Sequence, residues 1–175
     1  MTRTAFTWLA ALLLVLAAPR QGRALDIQPP FKLRWGETAE RMEQLLKGAK
    51  ATILQRRMVE GREVWEVDGL KQQNQKRTVF YFQQSQLVEV ELQFQRDDWD
   101  ETKYDSYMGD IRRKLEQFYG QGQLISRKKE AEGEVTQTLV GWKWSQNNTA
   151  AELIYFAAQG PVHVFRTLSL HFKTY

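Results

Sequence analysis

The chain has 175 residues, with 25 Lys and Arg residues against 21 Asp and Glu residues, and it contains no cysteine. The lack of cysteine excludes disulfide bonds, thiolate catalysis, thiolate metal sites and a lipid-modified N-terminal cysteine in this chain. A domain of about 150 residues can bury about 68–70% of its unfolded surface and needs no disulfide for stability.

The first 24 residues contain the three parts of a secretory signal peptide in the expected order. Arg3 supplies positive charge, residues 5–18 are almost wholly apolar, and Gly22 and Ala24 are the small residues that a signal peptidase needs at positions −3 and −1. The apolar run is shorter than the ~20 residues that a membrane-spanning helix requires. We therefore predict a signal peptide at 1–24 and a periplasmic or secreted location.

The charge of the remaining chain excludes one class of partner. Three of the 25 basic residues lie in the predicted signal peptide, which leaves 22 basic residues against 21 acidic residues. A dedicated nucleic-acid binder usually has a net basic domain or a basic stripe. We therefore predict no nucleic-acid partner, and a single domain at 25–175.

Hydrophobic periodicity predicts a short strand at 31–35, followed by a helix that Thr38 caps and that ends near Gly48. A second helix is predicted at 100–119, with Gly120 as its stop. Strand-like runs lie at 50–59, 62–69, 77–84, 86–95, 122–130, 135–145, 151–157 and 162–173.

The order helix, four strands, helix, four strands suggests an internal duplication. Val79–Phe82 in the first half matches Leu153–Phe156 in the second half. We predict a two-layer α+β domain in which tandem helix-plus-four-strand repeats, at 31–96 and 97–175, form an antiparallel sheet covered by two helices.

The segment Trp35–Met42, followed by Leu45, resembles the opening of small bacterial envelope domains of the outer-membrane-assembly lipoprotein (SmpA/OmlA) type. The tandem plan is similar to that of the β-lactamase inhibitory proteins. Both resemblances imply a non-enzymatic envelope protein that binds another protein, and neither implies an individual binding residue. The lipid-anchor cysteine of the first family and the disulfides of the second have no counterpart here.

The two histidines, His163 and His171, lie eight residues apart on one predicted strand. About 26 Å separates them at ~3.3 Å per residue, so they cannot bind the same metal ion, and we predict both on the solvated face. The sequence has no Gly-x-Ser-x-Gly elbow, His-Glu-x-x-His pair or phosphate-binding Gly loop. We predict no catalytic residue, no metal and no cofactor.

Carboxylates are concentrated at Asp97, Asp98, Asp100, Glu101 and Asp105. A calcium loop requires regularly alternating ligands and a Gly at its turn, and this cluster has neither. The cluster precedes or begins the second helix, where negative charge is favourable. We predict a capping role, with Asp98 and Glu101 as a pair that resembles a capping box.

Trp142 and Trp144 share one face of the run at 135–145. If no helix covers that face, the two residues form an aromatic surface suited to protein binding. Packing in the core is the alternative interpretation, and the one that we favour.

Two basic pairs, Arg56–Arg57 and Lys128–Lys129, occupy equivalent positions in the two halves. Side by side, they would be a second candidate surface, for an anionic partner. The alternative is that they are solvated, or that they protect sheet edges from unwanted pairing.

These observations predict a non-catalytic protein-binding module whose partner is another envelope protein. The alternative is a protein that binds a small or lipidic ligand in the groove between helices and sheet, lined by Tyr104, Tyr107, Phe80 and Phe82.

Overall fold

The computed structural model describes residues 27–70 and 74–175. The predicted signal peptide at 1–24 lies outside the described residues. Within the two described ranges, no helix combines the length and the apolar character needed to cross a membrane.

The described chain forms two helices and eight strands, in the order and close to the positions that periodicity predicts. Thr38 caps the first helix as predicted, because its side chain accepts a hydrogen bond from the Arg41 backbone N–H at 3.2 Å. The elements are α1 (Ala39–Gly48), β1 (Thr52–Val59), β2 (Arg62–Asp68), β3 (Arg77–Gln83), β4 (Gln86–Phe94), α2 (Glu101–Tyr119), β5 (Gln123–Glu132), β6 (Val135–Gln146), β7 (Thr149–Gln159) and β8 (Val164–Thr174).

The strand predicted at 31–35 is wrong. These residues form turns and irregular backbone, with Phe31 at φ 63° and Lys32 at φ 60°. A strand cannot contain two consecutive residues in the left-handed region. The segment still packs on the core, and the Trp35 indole N–H donates a hydrogen bond to the Ile27 carbonyl at 3.1 Å.

The acidic cluster does begin α2, but the capping residue differs from the predicted one. The Asp100 side chain accepts a hydrogen bond from the Lys103 backbone N–H at 2.8 Å and is the N-cap. Asp98 instead forms an ion pair with Arg96 at 2.8 Å, and Glu101 is the first helical residue. The predicted Asp98–Glu101 pair is therefore wrong.

All eight strands form one antiparallel sheet in the order β1-β2-β3-β4-β8-β7-β6-β5. The last strands of the two meanders, β4 and β8, pair at the centre, where Leu92 lies opposite Leu170. As a result, β1 and β5 are the two edges of the sheet.

The two faces of the sheet have different compositions. The side of the sheet on which α1 and α2 pack is here called the helix face, and the opposite side the outer face. On the helix face, the strands contribute large side chains that are at most 2% exposed: Trp65, Phe80, Phe82, Leu92, Leu153 and Leu168. Met42 of α1 and Tyr104 of α2, both fully buried, belong to the same core.

The prediction of a two-layer repeat domain whose sheet is covered by two helices is wrong. Strands make up 52% of the described chain and helices only 20%. Eight strands span roughly 35–40 Å at about 4.8 Å per strand, whereas each helix is about 10 Å across. The helices therefore cover part of one face, and the architecture is dominated by a single wide sheet.

Candidate functional site

Trp144 lies in the core rather than on a binding surface. Its side chain is 3% exposed, and its indole N–H donates a hydrogen bond to the Gly120 carbonyl at 2.9 Å. A Cβ atom at Gly122 would lie 2.6 Å from the indole ring, so the tight approach of the chain depends on that glycine. These contacts favour the core interpretation of Trp144.

Trp142 shares the helix face with Trp144 but is only half-buried. The guanidinium carbon of Arg112, from α2, lies 4.1 Å from the centre of the Trp142 ring. This cation–π contact covers the indole. The two tryptophans therefore do not form an open aromatic surface.

The basic pairs are not side by side. Arg56 lies on the helix face, with its guanidinium carbon 4.2 Å from the centre of the Trp65 ring and an ion pair to Glu43 of α1. Arg57 points to the outer face, where its guanidinium lies 3.4 Å from Glu66. Alternation along the strand separates the members of such a pair.

Lys128 and Lys129 are exposed on β5 and likewise face opposite sides of the sheet. Because β1 and β5 are the two edges, seven strand spacings, or roughly 34 Å, separate them from the arginine pair. The expected joint basic surface is therefore wrong.

The groove predicted between helices and sheet is filled by side chains. Phe80 and Tyr104 are fully buried. The Tyr104 ring centre lies 5.3 Å from that of Trp99 and 5.6 Å from that of Tyr155. Its hydroxyl oxygen accepts a hydrogen bond from the Arg96 backbone N–H at 2.8 Å. In this part of the core, aromatic side chains occupy the position that the alternative hypothesis assigns to a ligand.

The outer face carries a buried polar network that the sequence analysis did not identify. His171 Nδ1 lies 2.8 Å from Glu89 Oε1, and His171 Nε2 lies 2.9 Å from Ser169 Oγ. Arg62 donates a hydrogen bond to Glu89 at 2.8 Å. His171 was predicted to be solvated, but its side chain is only 15% exposed. Pairing of β4 with β8 brings Glu89 close to His171 and Ser169.

The network sets the ionisation of its carboxylates. Burial alone would raise the pKa of Glu89, but the hydrogen bond from His171 and the charge of Lys173 prevail and lower that pKa below its ordinary value. Burial likewise opposes ionisation of Glu152, while Lys173 and Lys143 lower the pKa of that carboxyl overall. Both groups are therefore stabilised as anions.

The order Ser169, His171, Glu89 is that of a nucleophile, a base and an orienting acid. Acyl transfer also requires donors for an oxyanion, but here β8 is hydrogen-bonded to β4 on one side and to β7 on the other. A second carboxylate, Glu91, lies 3.8 Å from His171 Nε2. The geometry supports a structural network more than a hydrolase.

Beside this network, the outer face becomes apolar. Five side chains from four neighbouring strands form what we call the outer apolar patch: Ile125, Leu139, Ile154, Phe156 and Phe165. Phe165 is 46% exposed, Ile125 45% and Leu139 36%. Strand periodicity alone does not predict this patch, because the five side chains become neighbours only through the pairing of the four strands.

Register explains how the patch is assembled. Leu139 lies opposite Phe156, and the ring centres of Phe156 and Phe165 are 6.2 Å apart. Ile125 occupies the space above Gly141, where a Cβ atom would lie 3.1 Å from Ile125 Cγ1. The signal in the sequence is β7, whose segment Leu153–Ala158 is apolar at every position.

No model of a known protein family matches the chain, and neither does any curated protein or solved structure. Among residues 27–70 and 74–175, no group of three or more His, Asp or Glu side chains could hold a metal ion.

Proposed function

We propose that the protein is an exported, non-catalytic protein-binding module, and that it binds its partner through the outer apolar patch. The single observation that carries the proposal is the exposure of apolar side chains at adjacent positions on β5, β6, β7 and β8. Scattered exposed apolar residues are normal, whereas a contiguous patch is typical of an interaction surface.

The composition of the patch suits a protein partner. Phe156 and Phe165 are large side chains with few rotatable bonds. They lie on β7 and β8, two strands that pair with each other within the sheet. Little conformational entropy is therefore lost when they bind a partner. Aromatic anchors of this kind contribute much of the binding free energy at protein interfaces.

The polar network supplies a border for the patch. Glu152 precedes the patch residue Ile154 by two positions on β7. It accepts a hydrogen bond from Lys173 at 2.7 Å and lies 3.2 Å from the Lys143 ammonium. Protein interfaces commonly have an apolar centre and a polar rim. The arrangement on this face therefore matches the expected anatomy of an interface.

Export is supported by the signal-peptide pattern of residues 1–24. The resemblance of Trp35–Met42 to envelope assembly domains supports the same compartment and the same kind of role. On this basis the partner would be another envelope protein.

A charge substitution in the patch tests the proposal. We would purify the protein from the cells that express it, as wild type, as Phe165→Asp and as Phe118→Asp, and identify co-purifying proteins by mass spectrometry. Phe118→Asp is the matched control, because Phe118 is also an exposed phenylalanine, 57% exposed, and lies on α2.

The proposal predicts a partner that is retained by wild type and by Phe118→Asp and is lost from Phe165→Asp. The three proteins should have similar unfolding temperatures, since both phenylalanines are exposed. A partner that is retained by Phe165→Asp, or lost equally from both variants, would contradict the proposed surface.

A further inference from the structure

A groove that differs from the outer apolar patch in having a basic rim lies on the helix face, between α1 and the segment that precedes it. We call it the α1 groove. It has a volume of about 700 Å³, and its lining includes Phe31, Lys32, Arg34, Arg41, Leu45 and Leu46. Its apolar floor includes Met42 and Leu46, which are 0% and 3% exposed. The size is within the range of small-ligand sites.

The rim of the α1 groove is positively charged. Lys32, Arg34 and Arg41 are exposed, and within the described parts of the chain none of the three forms an ion pair. The Arg41 guanidinium donates to the side-chain oxygen of Gln44 at 3.2 Å. Glu37 is the one acidic side chain among the lining residues. The rim therefore has a net charge that a bound anion would complement.

The wall opposite α1 is held in an unusual conformation. Phe31 and Lys32 are consecutive residues in the left-handed region, at φ 63° and 60°, which is unfavourable for residues other than glycine. Hydrogen bonds fix the chain just beyond them, from the Gly36 N–H to the Leu87 carbonyl at 3.0 Å and from the Ala39 N–H to the Ser85 carbonyl at 3.0 Å. The fold thus keeps the groove preformed.

We propose that the α1 groove binds a single-chain anionic amphiphile, such as a fatty acid. Its acyl chain would cover the apolar floor at Leu45 and Leu46, and its head group would lie against Arg34 and Arg41. An apolar chain alone would leave the cationic rim unused, and a cationic amphiphile would be repelled by it.

The α1 groove and the outer apolar patch lie on opposite faces of the sheet. This inference therefore does not depend on the proposed protein-binding function, and either can fail alone.

Two amphiphiles with the same chain length and opposite head-group charge provide the test. Laurate and dodecyltrimethylammonium, each kept below its critical micelle concentration, would be titrated by calorimetry into the protein isolated from cells that express the full chain. We expect saturable binding of laurate at one site per chain. We expect at least tenfold weaker binding of dodecyltrimethylammonium.

Three variants locate the site. The double substitution Arg34→Glu with Arg41→Glu should weaken laurate binding at least tenfold, since two exposed cations become anions. Leu45→Arg should fill the groove and abolish saturable binding. Arg113→Glu, on the exposed side of α2, is the matched control and should leave laurate binding unchanged. Circular dichroism would confirm that each variant is folded.

Several outcomes would overturn the inference. These are equal affinity for the two amphiphiles, no saturable laurate binding, or laurate binding that persists in the folded double variant. A separate experiment measures binding of the protein to anionic phospholipid vesicles by sedimentation. Binding to vesicles without binding to monomeric laurate would assign the basic rim to a bilayer surface and contradict a ligand groove.

Discussion

The environment of His171 depends on partners that are distant in the sequence. Glu89 lies on β4, and only the central β4–β8 pairing brings its carboxylate within 2.8 Å of the imidazole. The resulting cluster keeps the buried Glu89 carboxylate ionised on the outer face of the sheet. Burying charge is unfavourable unless partners of opposite charge and hydrogen bonds offset the loss of hydration.

Acid should weaken this network through Glu89. The pKa of Glu89 is lowered from 4.5 in the folded protein. Its contribution to stability is therefore fully present above about pH 4.5 and is lost as the pH falls through the folded value. We expect Glu89→Gln to lose less stability than wild type between pH 6 and pH 3, measured by urea unfolding. Glu130→Gln, exposed on β5, should behave like wild type, and an identical pH dependence for Glu89→Gln would contradict the assignment.

Core and patch aromatics should differ sharply in their effect on stability. Trp144→Ala removes a buried indole and its hydrogen bond to Gly120, so we expect a loss of about 3–5 kcal/mol in the free energy of unfolding. Phe165→Ala, at an exposed position, should change it by no more than about 0.5 kcal/mol. Urea denaturation would measure both, and a mild effect of Trp144→Ala would show that the indole is not a core residue.

At the scale of secondary-structure elements, local patterns predict well where the causes are local. The helices follow from apolar spacing and from capping residues such as Thr38, whose hydrogen bond to the Arg41 N–H requires only neighbours. The strand predicted at 31–35 fails because its alternation coexists with left-handed backbone at Phe31 and Lys32. Contacts with α1 and the core, which no local pattern reports, determine that conformation.

The N-cap of α2 provides a direct test at this scale. Asp100→Ala should lower the free energy of unfolding by about 1 kcal/mol, because the Lys103 N–H loses its acceptor. Asp98→Ala removes only an exposed ion pair with Arg96, so the expected loss of stability is smaller than that of Asp100→Ala. Thermal unfolding would compare the stabilities of the two variants. A larger loss of stability for Asp98→Ala than for Asp100→Ala would support the predicted Asp98–Glu101 capping pair and contradict Asp100 as the N-cap.

At the scale of the whole molecule, the sequence could not reveal which strands are neighbours. The order of strands places β1 and β5 at opposite edges, which separates Arg56–Arg57 from Lys128–Lys129. The outer apolar patch, by contrast, is assembled from Ile125, Leu139 and Phe165 by the consecutive hairpin pairings of β5 with β6, β6 with β7 and β7 with β8. Sheet registers between distant segments depend on tertiary packing, and periodicity alone does not encode them.

Cleavage of the predicted signal peptide is a further prediction for the whole chain. If residues 1–24 are a signal peptide, the exported protein should begin at Leu25. Intact-mass measurement and N-terminal sequencing of the protein from the envelope fraction would show this, whereas an uncleaved N-terminus would contradict the predicted signal peptide.

The outer apolar patch is the proposed contact surface for a partner protein. Site-specific incorporation of a photo-crosslinking phenylalanine derivative at position 165, with position 118 as the matched control, tests that contact in the intact cell envelope. We expect a discrete crosslinked species from position 165 and none from position 118. Crosslinks from Phe118 alone, or none from Phe165 under conditions that crosslink a known envelope complex, would contradict it.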